Sequence, residues 1–396
     1  MKDLAITTKL VHAGERRKPP VGVPVSTPIY PSVTYTYASM AEMDKVFSGE
    51  SPDYIYARYG NPTVAALQEA LATIENGSFA CAYASGMAAL HAALFACELS
   101  ANSVVLASRD LYGASFDLVN KIFGAFGVKM QTADFSDLDA LREKALEIKP
   151  RVLLAETISN PLLKVCDIAA CAEIAREVGA RLIVDNTFAT PYLCQPLDLG
   201  ADFSVHSATK YLGGHADATG GIVIAKDEFD RPALVGVMKL VGGVLSVWEA
   251  HQILRGIKTL GLRIERQCQN AKILAEHLSK HPQIKKVFYP GFSNEADSVE
   301  KVLRPPHAGA LVAIVLKDNT REAAFRFVDA LKLCIRATSL GDIFTLVSHS
   351  ATSSHRELSP KRRSELGISD GLVRISVGIE DINDIVADIE QALEKK

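Results

Sequence analysis

The 396-residue sequence predicts an α/β protein in which a large, doubly wound and mostly parallel sheet domain precedes a smaller α+β domain. Strand-like and helix-like segments alternate from about residue 61 to residue 226. The strand-like segments are short, unbroken runs rich in Val, Leu and Ile, typical of a parallel sheet covered on both faces. After about residue 280 the pattern becomes mixed, which indicates a separate unit.

The first 60 residues contain many Pro, Tyr and Thr and show only weak periodicity. Proline interrupts a helix because it lacks the backbone N–H and clashes with the preceding turn. We therefore predict an extended N-terminal arm. Its apolar side chains need a cover, and a neighbouring subunit is one candidate. The prolines concerned are Pro19, Pro20, Pro24, Pro28 and Pro31.

From Asn61 the elements follow one another regularly. Asn61 and Pro62 form a helix cap and first turn, and Asn76-Gly77 ends that helix. The predicted elements that follow, in chain order, are strand 78–84, helix 85–98, strand 103–108, helix 112–126, strand 128–133, helix 137–148, strand 151–157, helix 167–179, and strands 181–187, 203–208 and 220–226.

The last part of the chain begins with a long helical segment, about 246–280, which Gly256 and Gly261 bend or break. We divide the chain into an arm (1–60), a large domain (61–258) and a C-terminal domain (259–396). The elements predicted beyond the long segment are strands 287–291 and 310–316, helix 321–331, strands 334–339 and 372–378, and helix 381–395.

Composition argues against nucleic-acid and membrane partners and predicts the compartment. The chain carries 43 Lys and Arg against 46 Asp and Glu, so it lacks the basic footprint of a nucleic-acid binder. Its longest apolar run, 308–316, is too short to span a membrane, and no signal peptide is evident. The seven cysteines have no compact spacing, which predicts reduced thiols, a cytoplasmic location and no metal site.

Three strand ends carry residues suited to one ligand, because parallel sheets bind ligands at their carboxyl ends. Lys210 is a candidate amine nucleophile for a Schiff base, or else a structural partner of a carboxylate. Asp185 either caps a turn or holds a heteroaromatic nitrogen protonated. Gly86 opens a helix whose N–H groups suit a phosphate. Together these features predict pyridoxal 5'-phosphate.

Two other patterns near Lys210 carry less weight. His206 and His215 lack a third ligand for a metal and are predicted to be structural. Residues 207–210 spell S-x-x-K, a serine acyl-transfer motif, but the accompanying K-T-G element is missing from the sequence.

A set of ordered motifs extends these observations over essentially the whole chain: YARYGNPT (56–63), SGMAA (85–89), LYG (111–113), ETISNP (156–161), VDNTFATP (184–191), SVHSATKYLGGHADATGG (204–221), RGIKTLGLR (255–263), TSLGD (338–342) and LVRISVGIED (372–381). With these motifs the chain resembles the Cys/Met-metabolism, or transsulfuration, family of pyridoxal-phosphate enzymes. That group includes methionine γ-lyase, cystathionine γ-lyase, cystathionine γ-synthase and the O-acylhomoserine sulfhydrylases.

The resemblance implies the fold type I architecture and roles for individual residues. Lys210 would hold the cofactor covalently and move protons, Asp185 would face its ring nitrogen, and Tyr112 would stack on the ring and act as an acid or base. The residues implied for the phosphate are Gly86, Met87, Ser207 and Thr209, with Tyr56 and Arg58 reaching the phosphate of the neighbouring subunit. Those implied for the substrate are Arg374 at the α-carboxylate, with Asn160 and Ser339 close by.

The same resemblance implies a homotetramer built from dimers with shared active sites and a small amino-acid substrate. Taken alone, Tyr56 and Arg58 would be ordinary arm contacts, and Arg374 an outward residue of an edge strand. The implied activity is γ-elimination on sulfur amino acids, with γ-replacement on homoserine derivatives as the alternative. A cofactor-binding relative without catalysis is a remote third possibility.

Three positions depart from the patterns of individual members. Methionine γ-lyases carry a cysteine where this chain has Ala114, and cystathionine-handling members an arginine where it has Asp117. Cystathionine lyases carry a glutamate at the position of Thr338. These departures favour a substrate without a distal carboxylate and leave lyase and synthase open.

Overall fold

A computed structural model describes residues 22–292, 296–356 and 358–395. The first of its two sheets has seven strands in the order β1-β7-β6-β5-β4-β2-β3. These strands are β1 (Phe79–Tyr83), β2 (Val104–Ser108), β3 (Lys129–Ala133), β4 (Val152–Glu156), β5 (Arg181–Asp185), β6 (Phe203–Ser207) and β7 (Gly221–Ala225).

This first sheet is mostly parallel, as predicted. β2, β3, β4, β5 and β6 pair in parallel, whereas β7 runs antiparallel to both β1 and β6. The helices before and between its strands are α1 (Met40–Phe47), α2 (Pro62–Ile74), α3 (Gly86–Ala96), α4 (Gly113–Asp117), α5 (Leu138–Ile148), α6 (Ile168–Val178) and α7 (Thr190–Leu193).

The core lies on both faces of this sheet, which explains the uninterrupted apolar strands. Leu153, Leu182 and Ile222 belong to the cluster on the face that α2 covers. Their strand neighbours Leu154 and Ile183 belong to the cluster on the opposite face, together with the apolar side of α3. Because successive side chains of a strand point to opposite faces, β1, β4 and β7 are buried at every position, whereas the edge strand β3 is exposed or half-buried.

The second sheet has five strands in the order β10-β11-β12-β9-β8. These are β8 (Ile284–Phe288), β9 (Leu311–Leu316), β10 (Ile335–Arg336), β11 (Leu346–His349) and β12 (Leu372–Ser376). The helices from the end of the first sheet onward are α8 (Arg231–Val241), α9 (Val247–Ile257), α10 (Leu260–Leu278), α11 (Ala296–Val302), α12 (Arg321–Ala330), α13 (Pro360–Glu365) and α14 (Ile382–Leu393).

The structure differs from the sequence predictions in several elements. The described part of the arm contains α1, which Ser39 caps by accepting the N–H of Glu42, so the arm is not extended throughout. The prolines at 19 and 20 lie outside the described residues. The predicted helix 112–126 consists of α4 followed by a π-helical and a 3₁₀ segment. The sequence analysis also missed α7, α8, α11, α13 and the short strand β11.

Other boundaries agree closely. Asn61 caps α2 by accepting the N–H of Thr63, with Pro62 in its first turn. The long helical segment breaks between α9 and α10, at Lys258 and Thr259. The predicted domain boundary at 258/259 falls at this break and stays a prediction. Within the described residues, no helix is long and apolar enough to cross a lipid bilayer.

Candidate active site

A cavity of about 520 Å³ lies at the carboxyl ends of β4, β5 and β6. The first residues of α3 also line it. The C-terminal part of the chain closes its other side with a loop before β11 and with β12. Of the predicted site residues, those that line this cavity are Gly86, Met87, Tyr112, Asn160, Asp185, Ser207, Thr209, Lys210, Ser339 and Arg374.

Tyr56 and Arg58 are not among the residues that line the cavity of their own chain. The Arg58 guanidinium lies 5.6 Å from the ring centre of Tyr56 and 4.9 Å from that of Tyr59. It also donates to the backbone carbonyl of Lys239. Both tyrosine side chains are exposed. Within one chain, these two predicted residues therefore lie on the surface beside α8.

Lys210 follows β6 and lies among charged neighbours. Its Nζ donates to Ser339 Oγ at 2.8 Å. Burial and the nearby Arg374 guanidinium lower the pKa of Lys210, although Asp342 opposes them. A lowered pKa increases the fraction of neutral amine, which is the nucleophilic form.

Ser339 connects the two cationic residues of the site. Its hydroxyl accepts from Lys210, and its carbonyl accepts from Arg374 Nη2 at 2.8 Å. Its φ is +84°, a left-handed backbone conformation that a residue with a Cβ rarely adopts. Such strain persists only where the surroundings enforce it, and here it aims both oxygens of Ser339 into the site.

Arg374 lies on β12 with only 5 % of its surface exposed. Its Nη1 donates to Asn160 Oδ1 at 3.0 Å, and its Nε has no hydrogen-bond partner among the described residues. Burial lowers the pKa of Arg374 to about 10. The guanidinium nevertheless stays charged at neutral pH and is suited to an anionic ligand group.

Asp185 ends β5 at the floor of the cavity. Its Oδ1 accepts from the Thr187 backbone N–H at 3.0 Å and from the Thr187 hydroxyl at 2.5 Å. Burial raises the pKa of Asp185, and the hydrogen bonds from Thr187 offset part of that rise. Thr187 Oγ1 in turn accepts the backbone N–H of Ser207, which joins the ends of β5 and β6.

The N-terminus of α3 packs closely on the end of β6. Ser85 caps the helix by accepting the N–H of Ala88. A Cβ on Gly86 would lie 2.8 Å from the Cβ of Ser207, so only glycine permits this approach. The result is a narrow cradle in which the N-terminus of α3, Ser207 and Thr209 line the same cavity and offer N–H and hydroxyl groups to a ligand.

The comparisons with known proteins agree with this geometry. A model of the family described as Cys/Met metabolism PLP-dependent enzyme matches residues 7–394, where PLP is pyridoxal 5'-phosphate. The chain belongs to this family. It is 42 % identical over 387 residues to L-methionine gamma-lyase of Pseudomonas putida, covering 98 % of this chain and 96 % of that protein.

Two further proteins similar to this chain are named for other reactions. Cystathionine gamma-lyase of Bacillus subtilis is 40 % identical, with 98 % of each chain covered. The crystal structure of a putative O-acetylhomoserine (thiol)-lyase from Campylobacter jejuni matches with a TM-score of 0.88 at 31 % identity, covering 94 % of this chain and 96 % of that one. That structure holds N'-pyridoxyl-lysine-5'-monophosphate. The fold is therefore that of the pyridoxal-phosphate enzymes of this family.

Pyridoxal phosphate is the cofactor of this family member, and three features of its structure fit the group. The Gly86 cradle has donors for a phosphate but no space for a Cβ. The half-buried Asp185 carboxylate, whose pKa burial raises, gains from a positive partner, which a protonated ring nitrogen supplies. Lys210 presents an amine of lowered pKa to the same cavity.

Sequence analysis assigned no role to Glu156, which lines the same cavity at the end of β4. Its Oε1 accepts the backbone N–H of Tyr112 at 2.7 Å, which fixes the start of α4. The only signal was its place as the last residue but one of a predicted strand, inside a family motif.

A second feature missed by the sequence analysis is a buried polar cluster beneath the site. Glu75, after the end of α2, accepts from Ser204 Oγ and Asn186 Nδ2, each at 3.2 Å, and pairs with His206 Nε2. Asn186 also accepts from the Thr157 hydroxyl at 2.7 Å. Residues of this cluster adjoin Glu156, Asp185 and Ser207 in the chain, so it ties together the three strand ends that form the cavity floor.

The three positions that depart from individual family members, Ala114, Asp117 and Thr338, do not all lie at the cavity. Thr338 lines the cavity, as does Ser115, whereas Ala114 and Asp117 do not. Asp117 instead pairs with Lys121 at 2.8 Å on the helix surface. Within one chain the Asp117 carboxylate therefore does not line the cavity, and its effect on the choice of substrate stays a prediction. Among the described residues, no group of three or more His, Cys, Asp or Glu is arranged to hold a metal ion.

Proposed function

We propose that this enzyme is a carbon–sulfur lyase of the methionine γ-lyase type, acting by γ-elimination on a sulfur amino acid with a single carboxylate. The observation that carries the proposal is the charge of the cavity wall. Among the described lining residues, Arg374 is the one guanidinium, and Lys210 is the one ammonium group. One carboxylate-binding fork suits one substrate carboxylate.

The rest of the wall supports an uncharged γ-substituent. Beyond the two cations and the carboxylates of Glu156 and Asp185, the lining side chains are apolar or carry neutral polar groups. A second carboxylate, such as the distal one of cystathionine, would be desolvated there without a cationic partner. A methylthio group or an ester has no such requirement. The neutral lining residues include Met87, Ser115, Ile158, Phe188, Thr338, Leu340, Ser353 and Ser354.

We assign each step to residues of this chain. Arg374 and Asn160 bind and orient the α-carboxylate, because Arg374 Nε has no partner in the described part of the chain and Asn160 is already joined to its Nη1. Lys210 Nζ holds the cofactor covalently, and after substrate binds it moves the α- and β-protons. Ser339, hydrogen-bonded to both cations, keeps them at a fixed separation.

The remaining roles belong to the cofactor-facing residues. When bound, pyridoxal phosphate supplies an electron sink for negative charge at the substrate α-carbon. Asp185 would stabilise positive charge at the ring nitrogen of the cofactor. Tyr112 would stack on the cofactor ring and exchange a proton with the γ leaving group. Gly86, Met87, Ser207 and Thr209 bind the phosphate through N–H and hydroxyl donors.

The second candidate is γ-replacement on an O-acylhomoserine, as in the sulfhydrylases. It is favoured by Ala114, which stands where methionine γ-lyases carry a cysteine. The similarity to the O-acetylhomoserine (thiol)-lyase structure also supports it. Lys210, Asp185 and Arg374 serve either outcome, since both begin with the same proton removals.

We further propose a homotetramer of dimers in which Tyr56 and Arg58 complete the phosphate site of the neighbouring subunit. Exposed apolar side chains support this, since Leu240, next to the Lys239 that Arg58 contacts, is 88 % and Trp248 59 % exposed in the single chain. Loss of cofactor affinity in an intact Arg58→Ala oligomer, measured by light scattering and cofactor titration, is the expected result. Unchanged affinity would contradict the shared site.

We propose a cytoplasmic location and a three-part division into an arm (1–60), a large cofactor-binding domain (61–258) and a C-terminal domain (259–396). All seven cysteines are free and buried thiols, which suits a reducing compartment. The two sheets lie on either side of the 258/259 boundary in the chain, which supports the division.

A product assay tests the activity. Purified holoenzyme is offered methionine, cystathionine, or O-acetylhomoserine with sulfide, and the 2-oxo acid, thiol and thioether products are separated. We expect methionine to give methanethiol, ammonia and 2-oxobutanoate. Conversion of O-acetylhomoserine and sulfide to homocysteine, without elimination from methionine, would establish the second candidate. No reaction with any of them would refute γ-chemistry.

A further inference from the structure

Glu156 is a buried carboxylate in the active-site cavity that none of the roles above uses. It ends β4, and the parallel pairing places it directly opposite Asp185 on β5. Paired residues of neighbouring strands point to the same face, and both side chains line the cavity. Two carboxyl groups therefore lie side by side at the carboxyl end of the sheet; Glu156 is buried and Asp185 is half-buried.

The two carboxyl groups differ in their hydrogen bonds. Asp185 accepts two hydrogen bonds from Thr187. Glu156 accepts the Tyr112 N–H on Oε1, while its Oε2 is buried and has no partner among the described residues. A buried, unpartnered oxygen is far more costly in a carboxylate than in a carboxylic acid.

The charged groups around Glu156 act in the same direction. Burial raises the pKa of Glu156 well above its usual range, and the Asp185 and Asp110 carboxylates raise it further. The nearby N–H groups of Tyr112 and Asn160 oppose this only in part; among the described residues, Tyr112 is the one that makes a hydrogen bond to the carboxyl group. Asp110 is itself paired with Lys164 at 2.8 Å, so that ammonium group is already engaged with another carboxylate.

We propose that Glu156 is a neutral, protonated acid that positions Tyr112 and leaves Asp185 as the anionic member of the pair. Two neighbouring carboxyl groups that repel one another do not both ionise easily, and the hydrogen bonds from Thr187 decide which group keeps the negative charge. The unprotonated side-chain oxygen Oε1 of Glu156 then accepts the Tyr112 N–H and holds the first turn of α4. Tyr112 is the residue assigned to the cofactor ring. Glu156 is thus a positioning residue that acts through its neighbours.

This inference rests on the proposed roles of Asp185 and Tyr112, and its test separates the two. Glu156→Gln keeps an oxygen for the Tyr112 N–H and replaces O–H by N–H, so it imitates a protonated acid. Glu156→Ala removes the acceptor. Asp388→Asn is the matched control, because Asp388 is a buried carboxylate whose oxygens are hydrogen-bonded by backbone N–H groups and whose pKa is lowered rather than raised. Burial raises its pKa, but the backbone N–H groups of Cys334, Lys332 and Leu333 outweigh that effect and lower it overall.

Three measurements are made on the holoenzymes at neutral pH: the infrared difference spectrum of wild type against Glu156→Gln, cofactor affinity, and the pH profile of kcat/KM. We expect a protonated-carboxyl band that disappears in Glu156→Gln and is unaffected in Asp388→Asn. Glu156→Gln should keep cofactor affinity and kcat/KM within about threefold, with an unshifted pH profile. Glu156→Ala should lose roughly 5- to 100-fold in kcat/KM.

Two results would overturn the proposal. One is the absence of the protonated-carboxyl band from wild type. The other is a Glu156→Gln enzyme as impaired as Glu156→Ala, because an amide replaces an acid well but replaces a carboxylate poorly. If wild type neither binds pyridoxal phosphate nor turns over substrate, the proposed function fails. The infrared band still decides the protonation of Glu156 in that case.

Discussion

Replacing Arg374 by methionine tests the proposed carboxylate site. Methionine keeps much of the apolar volume on β12 but removes the guanidinium, including the unpartnered Nε. Breaking a buried, hydrogen-bonded charge pair costs about 2–5 kcal/mol, which corresponds to roughly 30- to 5,000-fold in kcat/KM. We expect a loss in that range for an amino-acid substrate.

The stability of Arg374→Met is expected to change far less than its activity. The substitution leaves Asn160 Oδ1 and Ser339 O without their donor, at about 1–3 kcal/mol each. It also removes a buried guanidinium whose pKa burial lowers from 12.5 to about 10. Removing that desolvated charge stabilises the folded variant by about 3 kcal/mol. The opposing contributions leave a net change within about 3 kcal/mol, so the variant should remain folded.

Steady-state kinetics with two substrates provide the assay. Methionine has the α-carboxylate, and 3-(methylthio)propylamine lacks it. The variant should discriminate little between the two, whereas wild type should prefer methionine by about the same factor that the substitution removes. Arg336→Met, at an exposed arginine paired with Asp329, is the matched control and should keep full activity. A folded Arg374→Met enzyme with kcat/KM for methionine within threefold of wild type would refute the carboxylate assignment.

Three further predictions concern the cradle, the cluster and one histidine. Gly86→Ala places a Cβ 2.8 Å from Ser207 Cβ and should weaken cofactor affinity roughly 5- to 150-fold in a cofactor titration. Glu75→Leu leaves the donors of Asn186 and its neighbours unpaired and should lower the unfolding free energy by about 3 kcal/mol; Glu75→Gln should lower it less. Burial and Arg374 lower the pKa of His355 from 6.5 to about 4, so the unfolded chain binds more protons in this range and stability falls as pH drops through it. Wild type should lose up to about 3 kcal/mol more than His355→Gln over that range in apoprotein melts.

Each of these predictions has an opposing result. Unchanged cofactor affinity in Gly86→Ala would show that the contact between α3 and β6 does not shape the phosphate site. Equal destabilisation by Glu75→Leu and Glu75→Gln would mean that the Glu75 charge, rather than its acceptor oxygen, supports the cluster. Parallel pH dependence of wild type and His355→Gln would mean that His355 titrates normally in the folded protein.

Much of the fold follows from local pattern. The alternation of apolar runs and amphipathic helices predicted all seven strands of the first sheet, because most of them are apolar runs covered on both faces. Asn61-Pro62 and Asn76-Gly77 predicted both ends of α2 within a residue or two. The missed elements are short or locally ambiguous: β11 has four residues, and α13 has six.

The candidate site was predicted where chemistry alone marks the residue. Lys210, Asp185 and Gly86 stand out because amine, carboxylate and glycine each follow a strand. Glu156 does not stand out, since its environment depends on Asp185, which is near only through strand pairing. Glu75 depends likewise on Ser204 and His206, more than a hundred residues away in the chain.

Asp117 illustrates a position that the resemblance marks but the structure of one chain does not place in the cavity. The resemblance to cystathionine-handling members, which carry an arginine there, marked it as a specificity position. In this chain its carboxylate pairs with Lys121 one helical turn away. The spacing from Tyr112 does not show which side of α4 faces the cavity: Ser115 lines it, whereas Asp117, the last residue of α4, does not.

The central claim is that Lys210 holds pyridoxal phosphate covalently in this cavity. The most direct test is to reduce the holoenzyme with borohydride, digest it and locate the pyridoxyl-phosphate adduct by mass spectrometry. We expect the adduct on the peptide that contains Lys210, and its loss in Lys210→Ala. An adduct on a different lysine of wild type, or no adduct in enzyme saturated with the cofactor, would contradict the account.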